Sequence, residues 1–190
     1  ASECVREILA DAAIRADLEA ICAQEVVPGF YLHGLGTTKD EKLAFDWYTK
    51  AKELGNTNSM TELANFYKNG RVVDVDMVKA YDLSKEAADL INPIGMTQLA
   101  QFYVNGIVVQ KDLKKAFELV KNAAVLNNAH AMYQLGVYYR KGLGTFKNDK
   151  EAFSWINKSA EMGNSDAMIE LVEMYQKGIG VALDLKQSEY

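Results

Sequence analysis

The sequence predicts an all-α chain built as an array of helix pairs, and three observations carry that prediction. First, residues recur at an interval of 36: Tyr31, Tyr67, Tyr103, Tyr139 and Tyr175 share one register, as do Gly34, Gly70, Gly106, Gly142 and Gly178. A fixed period of this length is the mark of a repeat architecture. Second, apolar residues inside each unit fall at helical spacing, as Met60, Leu63, Ala64 and Tyr67 do. Third, 2 prolines and 13 glycines suit a helical chain in which glycine ends elements rather than filling them. With 190 residues, 49% hydrophobic and 25% charged, the chain can bury a substantial core and lacks the composition of a disordered one.

Residues 2 to about 20 read as a helix, with Ser2 as N-cap and Val5, Ile8, Leu9, Ala12 and Ala16 on one side. They do not fit the repeat. Asp11 stands where Trp47 and Trp155 stand, and Arg15 where Ala51 and Ala87 stand. Residues 1–22 are therefore expected to be an N-terminal helical cap over the open face of an array spanning 23–190. The only two cysteines, Cys4 and Cys22, lie in this cap and are a candidate disulfide of an oxidising compartment. In one continuous helix they would stand about 27 Å apart, whereas a disulfide needs Cα atoms within about 7 Å. Pairing thus requires a helical hairpin near Ala13 to Ala16, where no Gly, Pro or Asn marks a turn. The other reading is two small apolar cap residues, and both stand.

The array divides into 23–58, 59–94, 95–130, 131–166 and a partial unit, 167–190. In the first unit Pro28 and Gly29 fall inside the expected first helix, which should kink or begin there. Its second helix runs regularly from Asp40, with Leu43, Ala44, Trp47, Tyr48 and Ala51 on one side and Gly55 as a stop. The next three units each predict a short first helix, a glycine-opened loop and a longer second helix. Gly70, Gly106 and Gly142 should turn left-handed. Asp76, Asp112 and Asn148 should cap the second helices, and Ala64, Ala100, Gly136, Ala80, Ala116 and Ala152 should let paired helices approach closely. The two tryptophans and the tyrosine ladder read as core. The last unit keeps Met168, Leu171, Tyr175, Gly178, Gly180 and Asp184, and its second helix stops at Tyr190; either the natural chain continues or a short helix around Leu185 closes the array.

The recurring pattern is A-x-x-x-L-G-x-x-Y-x-x-G-x-G, then D-x-x-x-A-x-x-W, then a small pair and G. Ala131, Leu135, Gly136, Tyr139, Gly142, Gly144, Ala152, Trp155, Ser159, Ala160 and Gly163 fulfil it most fully. This resembles the Sel-one-like repeat (SLR) family, a relative of the tetratricopeptide repeat. The chain departs from the pattern where Val72 and Val108 replace the second loop glycine, Leu83 and Leu119 the tryptophan, and Ile91 the terminal glycine; loops two and three are expected to differ in shape. The resemblance implies a right-handed α-α superhelix, or solenoid, with first helices lining the concave side. It implies non-enzymatic binding scaffolds, often bacterial and exported, acting as adaptors of protein or peptide partners. Some members look like immunity proteins that neutralise secreted toxin effectors such as phospholipases, and a cysteine-rich subgroup has been linked to β-lactam binding.

Function should lie in what varies between copies. Opposite the buried stripe, Thr61, Asn65, Lys68 and Asn69 are matched by Thr97, Gln101, Val104 and Asn105 in the third unit. The fourth offers His130, Tyr133, Val137, Arg140 and Lys141, and the fifth Ile169, Glu173, Gln176 and Lys177. Stacking is expected to align these as a partner-binding face whose amides meet peptide N–H and C=O groups and whose cations meet carboxylates. The alternative is a merely solvated face.

Other chemistry finds little support. His33 and His130 lie in different units without ligand-spaced neighbours, so no metal site and no cofactor is expected. No S-x-x-K, G-x-S-x-G, H-E-x-x-H or P-loop occurs, and the glycine loops recur in every unit as turns rather than phosphate cradles. An enzyme such as a β-lactam hydrolase would need an activated nucleophile that the Ser, Cys, Lys and His residues are not arranged to supply. A net charge of −5 and a pI near 5.1 argue against a nucleic-acid partner, and no apolar run approaches the ~18 residues needed for membrane insertion. The chain starts at Ala1 without an initiator Met, so either a leader has been removed from an exported precursor or the chain has been trimmed. A periplasmic or otherwise exported location is the expectation, with a cytoplasmic one as the alternative.

Overall fold

The structure is a computed structural model that describes residues 27–183. The expected N-terminal cap, Cys4, Cys22, Asp184, Leu185 and Tyr190 lie outside the described residues. Every regular element among the described residues is an α-helix, and within each of the two units named next, successive helices pack on one another as helical repeats of a solenoid do. The chain divides into two compact units, Ala1–Leu90 and Ile91–Tyr190.

In the first unit lie α1 (Val27–His33), α2 (Glu41–Glu53), α3 (Thr57–Asn69) and α4 (Met77–Asp89). Pro28 sits in the first turn of α1, where its missing N–H costs no helical hydrogen bond. Met60, Leu63 and Ala64 of α3 bury against Leu83 and Ala87 of α4, while Phe66 packs with Leu32 and Ala44. Phe45 of α2 meets both Phe66 and Tyr67 of α3 edge-on, at 5.5 and 5.9 Å between centroids.

The second unit holds α5 (Pro93–Asn105), α6 (Leu113–Val125), α7 (Ala129–Lys141), α8 (Asp149–Glu161) and α9 (Ser165–Lys177). Ala152, Ile156 and Ala160 of α8 pack with Ala167 and Met174 of α9, and Tyr133 and Tyr139 of α7 join them. The edge-on ring pair of the first unit returns here. Phe117 meets Tyr139 at 5.4 Å and Phe153 meets Tyr175 at 5.5 Å, so each tyrosine reaches back to the second helix of the preceding repeat. Such a pair contributes about 0.5–1.5 kcal/mol beyond its buried area, which is why the tyrosine recurs.

Helix ends follow the sequence closely. Asp76, Asp112 and Asn148 accept from the N–H groups of Lys79, Lys115 and Glu151, at 2.9, 2.9 and 3.1 Å. Asn56, Asn128 and Asn164 cap α3, α7 and α9 in the same way, a second 36-residue series that the pattern also contained. Gly70, Gly106 and Gly142 end their helices left-handed, with φ of 64, 67 and 66°.

Four expectations need correction. The second helices are not longer than the first: α2 to α9 all span 13 residues, because caps bracket both kinds at the same interval. The loops with valine in place of glycine keep their shape. Val72 and Val108 both take φ of 67°, beside 69° and 71° at Gly144 and Gly180, and Ile91 takes 64°. The surrounding helix ends fix the turn, and the β-branched residue accepts a conformation that costs roughly 1–2 kcal/mol. Trp47 and Trp155 are only half-buried, and Lys50 and Lys158 lie over their rings at 4.7 and 4.5 Å. Met168, the counterpart of buried Met60 and Met132, is exposed.

Candidate partner-binding face

The exposed face of a first helix is set by what the second helix covers. In α3 the solvent side runs along Asn58, Glu62, Asn65 and Asn69, a spacing of four, three and four that keeps one helical face. The matching residues are Ile94, Gln98, Gln101 and Asn105 in α5, and His130, Gln134, Val137 and Lys141 in α7. In α9 they are Asp166, Glu170, Glu173 and Lys177. In all four helices the outer two are exposed and the inner two half-buried.

Most of the expected site residues lie on or beside this stripe. Asn65, Gln101, Val137 and Glu173 are its half-buried centre, and Asn69, Asn105, His130 and Lys141 its exposed ends. Lys68, Val104, Arg140 and Gln176 flank it. Thr61 and Thr97 do not belong to it: they are 1% and 5% exposed. Each hydroxyl donates to a carbonyl three residues back, Asn58 at 2.7 Å and Ile94 at 2.9 Å, and this lets a polar residue sit in the packed side of the helix. Tyr133, at the same register, is half-buried against the α8–α9 core, whereas Ile169 is exposed. Sequence reasoning missed the inner stripe position Glu62, Gln98, Gln134 and Glu170 and, His130 apart, the outer position Asn58, Ile94 and Asp166. The inner one had its signal, since Glu62, Gln98, Gln134 and Glu170 are polar in every copy and lie one turn before Asn65, Gln101, Val137 and Glu173.

Charge organises the end of the face in the second unit. Arg140 of α7 pairs with both Glu170 and Glu173 of α9, the latter at 3.0 Å. Lys177 adds a bond to Glu173 at 2.9 Å. Together Lys177 and Arg140 hold the Glu173 carboxyl below the usual carboxylate range. His130 Nε2 lies 2.8 Å from Gln134 Nε2. In the first unit a comparable pair fixes a loop instead: Arg71 donates to Glu41 through Nε and Nη2, at 3.2 and 2.7 Å. With Lys39 it draws the Glu41 carboxyl down to about 2. The tyrosines move the other way. Burial, with Glu62 adding its charge, pushes Tyr48 up to about 12, and burial raises Tyr138 and Tyr139. Among the described residues no group of three His, Cys, Asp or Glu could hold a metal ion, and no helix is long and apolar enough to cross a membrane. The face thus offers amides, carboxylates and cations in helical register, the chemistry of recognition.

Comparison with known proteins agrees with this architecture. The Sel1 repeat profile matches residues 29–56, 57–92, 93–128, 129–164 and 165–190. Among solved structures, the chain is similar to a Sel1 repeat protein from Oxalobacter formigenes, with a TM-score of 0.81 and 28% identity over 93% of this chain and 72% of that one. It is also similar to c5321, a protective antigen present in uropathogenic Escherichia coli strains that displays an SLR fold. There the TM-score is 0.72 and the identity 31%, over 90% of this chain and 36% of the antigen. Cysteine rich protein B of Helicobacter pylori gives 0.54 and 32%, over 68% and 92%. No curated protein matches the chain in sequence.

Proposed function

The chain belongs to the Sel1 repeat family, and on that premise we propose that it is a non-enzymatic adaptor binding a partner protein or peptide through the exposed stripe of its first helices. Sel1 repeat proteins are protein-interaction scaffolds. The observation that supports this face is a division of labour within each helix. Leucine and tyrosine recur at Leu63, Leu99, Leu135, Leu171 and along the tyrosine ladder, where they pack. At the stripe, Asn65, Gln101, Val137 and Glu173 differ from copy to copy. Packing constrains the first set and leaves the second open to specify a partner. Asn65, Gln98, Gln101 and Gln134 present both donors and acceptors, which suits the backbone of an extended or helical segment.

Affinity capture with the full chain, followed by mass spectrometry, identifies the partner. Replacing Gln101 with Ala and Lys141 with Glu should then weaken binding by at least about tenfold at unchanged helical content. Unchanged binding would overturn the assignment of the face. A captured toxin whose activity the chain blocks would make the adaptor an immunity protein.

A further inference from the structure

In the second unit the inner positions of the stripe are Gln98 and Gln101 on α5, Gln134 and Val137 on α7, and Glu170 and Glu173 on α9. Val137 alone among them is apolar. It is half-buried, and one turn before it on α7 stands Tyr133, half-buried against the α8–α9 core. Four residues apart, the two side chains share one helical face. They form an apolar step that runs from the core out to the centre of the stripe. An apolar contact enclosed by polar groups that exclude water is where binding energy concentrates.

The charges around this step are unevenly engaged. On one side α5 contains no charged residue from Pro93 to Asn105. On the other, Glu170 and Glu173 of α9 are held by Arg140, and Lys177 by Glu173. These groups satisfy one another. Two charges of the face remain: Lys141, in the last turn of α7, and Asp166, in the first turn of α9. Neither forms an ion pair among the described residues. At the far end of α7, His130 Nε2 accepts from Gln134 Nε2 at 2.8 Å. Beside Val137, the charge without a partner is therefore Lys141, one turn further along the same helix.

Given that the first helices bind a partner, we propose that this part of the face takes an extended protein segment carrying an apolar side chain and, two residues away, a carboxylate. The apolar side chain seats on Val137 and Tyr133, and the carboxylate meets the Lys141 ammonium. The spacing matches. Val137 and Lys141 are about 6 Å apart along α7, and residues i and i+2 of an extended chain, which share one side, are about 6–7 Å apart. A helical segment would spend its N–H and C=O groups on itself. An extended one offers them outward, and the amides of Gln101 and Gln134 can meet both kinds.

A phage-displayed library of random peptides of about 12 residues, longer when extended than the ~20 Å of α7, tests the proposal by selection on the immobilised full chain. Enriched sequences should share an apolar residue with Asp or Glu two positions away. In fluorescence anisotropy with an enriched peptide, Val137→Ala should weaken binding about tenfold. Lys141→Glu should weaken it about fivefold and make it less sensitive to salt. Circular dichroism should find both variants as helical as the parent. A peptide whose acid is replaced by Lys should bind Lys141→Glu better than it binds the parent chain. No enriched sequence, enrichment without the acid, or an enriched peptide indifferent to Val137→Ala or to Lys141→Glu overturns the proposal. Indifference to those two together with loss on Gln101→Ala overturns it alone and leaves the first-helix face standing. Indifference to all three overturns both.

Discussion

Arg140 and Glu173 lie on different first helices, α7 and α9, yet the guanidinium Nη2 stands 3.0 Å from the carboxylate. The pair shows the faces of neighbouring repeats in register within the second unit, close enough for one side chain to bridge them. Because Lys177 and Arg140 lower the Glu173 pKa, the pair stabilises fully above the ordinary carboxylate value near 4.3 and fades as pH falls through the lowered one. In an Arg140→Met variant, NMR titration should find the Glu173 carboxyl moved back up. The stability difference between variant and parent should vanish in acid. A Glu173 titration unchanged by the substitution would show that Arg140 does not hold it.

Glu41 extends the same reasoning to the first unit. Its carboxyl lies at about 2 because Arg71 and Lys39 hydrogen-bond to it. The unfolded chain binds that proton more readily, so stability rises with pH between about 2 and the ordinary glutamate value of 4.5 and is level above. Glu41→Gln should flatten this part of the profile in urea unfolding followed across pH. A profile equally steep in the variant would assign the acid sensitivity elsewhere.

Gly136 and Ile156 interlock so tightly that a Cβ on the glycine would overlap Ile156 Cγ1 and come within 3.0 Å of the Ala152 carbonyl. The corresponding residues are Ala100 with Val120 and Ala64 with Ser84, so the glycine on the first helix goes with the largest counterpart on the second. Gly136→Ala should cost roughly 1–3 kcal/mol by overpacking. Ile156→Val in the same chain should recover part of it, seen as a non-additive double-mutant cycle in denaturant unfolding. Additive losses would mean that the two do not share the space.

Val72 and Val108 hold a conformation that suits glycine. Val72→Gly should raise stability by about 0.5–1 kcal/mol, the relief of left-handed strain less the entropy glycine loses on folding. Gly144→Ala should do the opposite and cost more than about 2 kcal/mol, since φ of +69° and the Leu113 carbonyl both oppose it. Thermal midpoints of the two variants moving in the same direction would contradict this account.

The repeat, the caps and the buried stripes were legible because each rests on contacts along one helix or within one turn. Asp76, Asp112 and Asn148 cap as their spacing implies, and Met60, Leu63 and Ala64 bury as theirs does. What was misread depends on neighbours. Thr61 and Thr97 look like surface residues until their hydroxyls turn back onto their own helices. The link from Arg140 to Glu170 spans 30 residues between two helices, and a pattern along either one does not fix their mutual register. The valine loops were misjudged for a related reason: the turn is imposed by the helices at both ends, and the residue adapts to it.

Adjacent repeats are joined by two kinds of seam. In the second unit Gly144 and Gly180 rest on carbonyls of the preceding repeat, main chain against main chain. In the first, Val72 stands where the glycine would, and Arg71 reaches back to Glu41 at 2.7 Å. At the register of Arg71 and Glu41 the second unit has Ile179 and Asp149, and the Asp149 Oδ1 is buried without a hydrogen-bond partner. At this register one seam is therefore ionic and the other is held by main-chain contact. Acid should therefore loosen the two seams by different routes: protonating Glu41 releases Arg71 between repeats one and two, whereas between repeats four and five it releases Arg140 from Glu173 and leaves the main-chain contact at Gly180 in place.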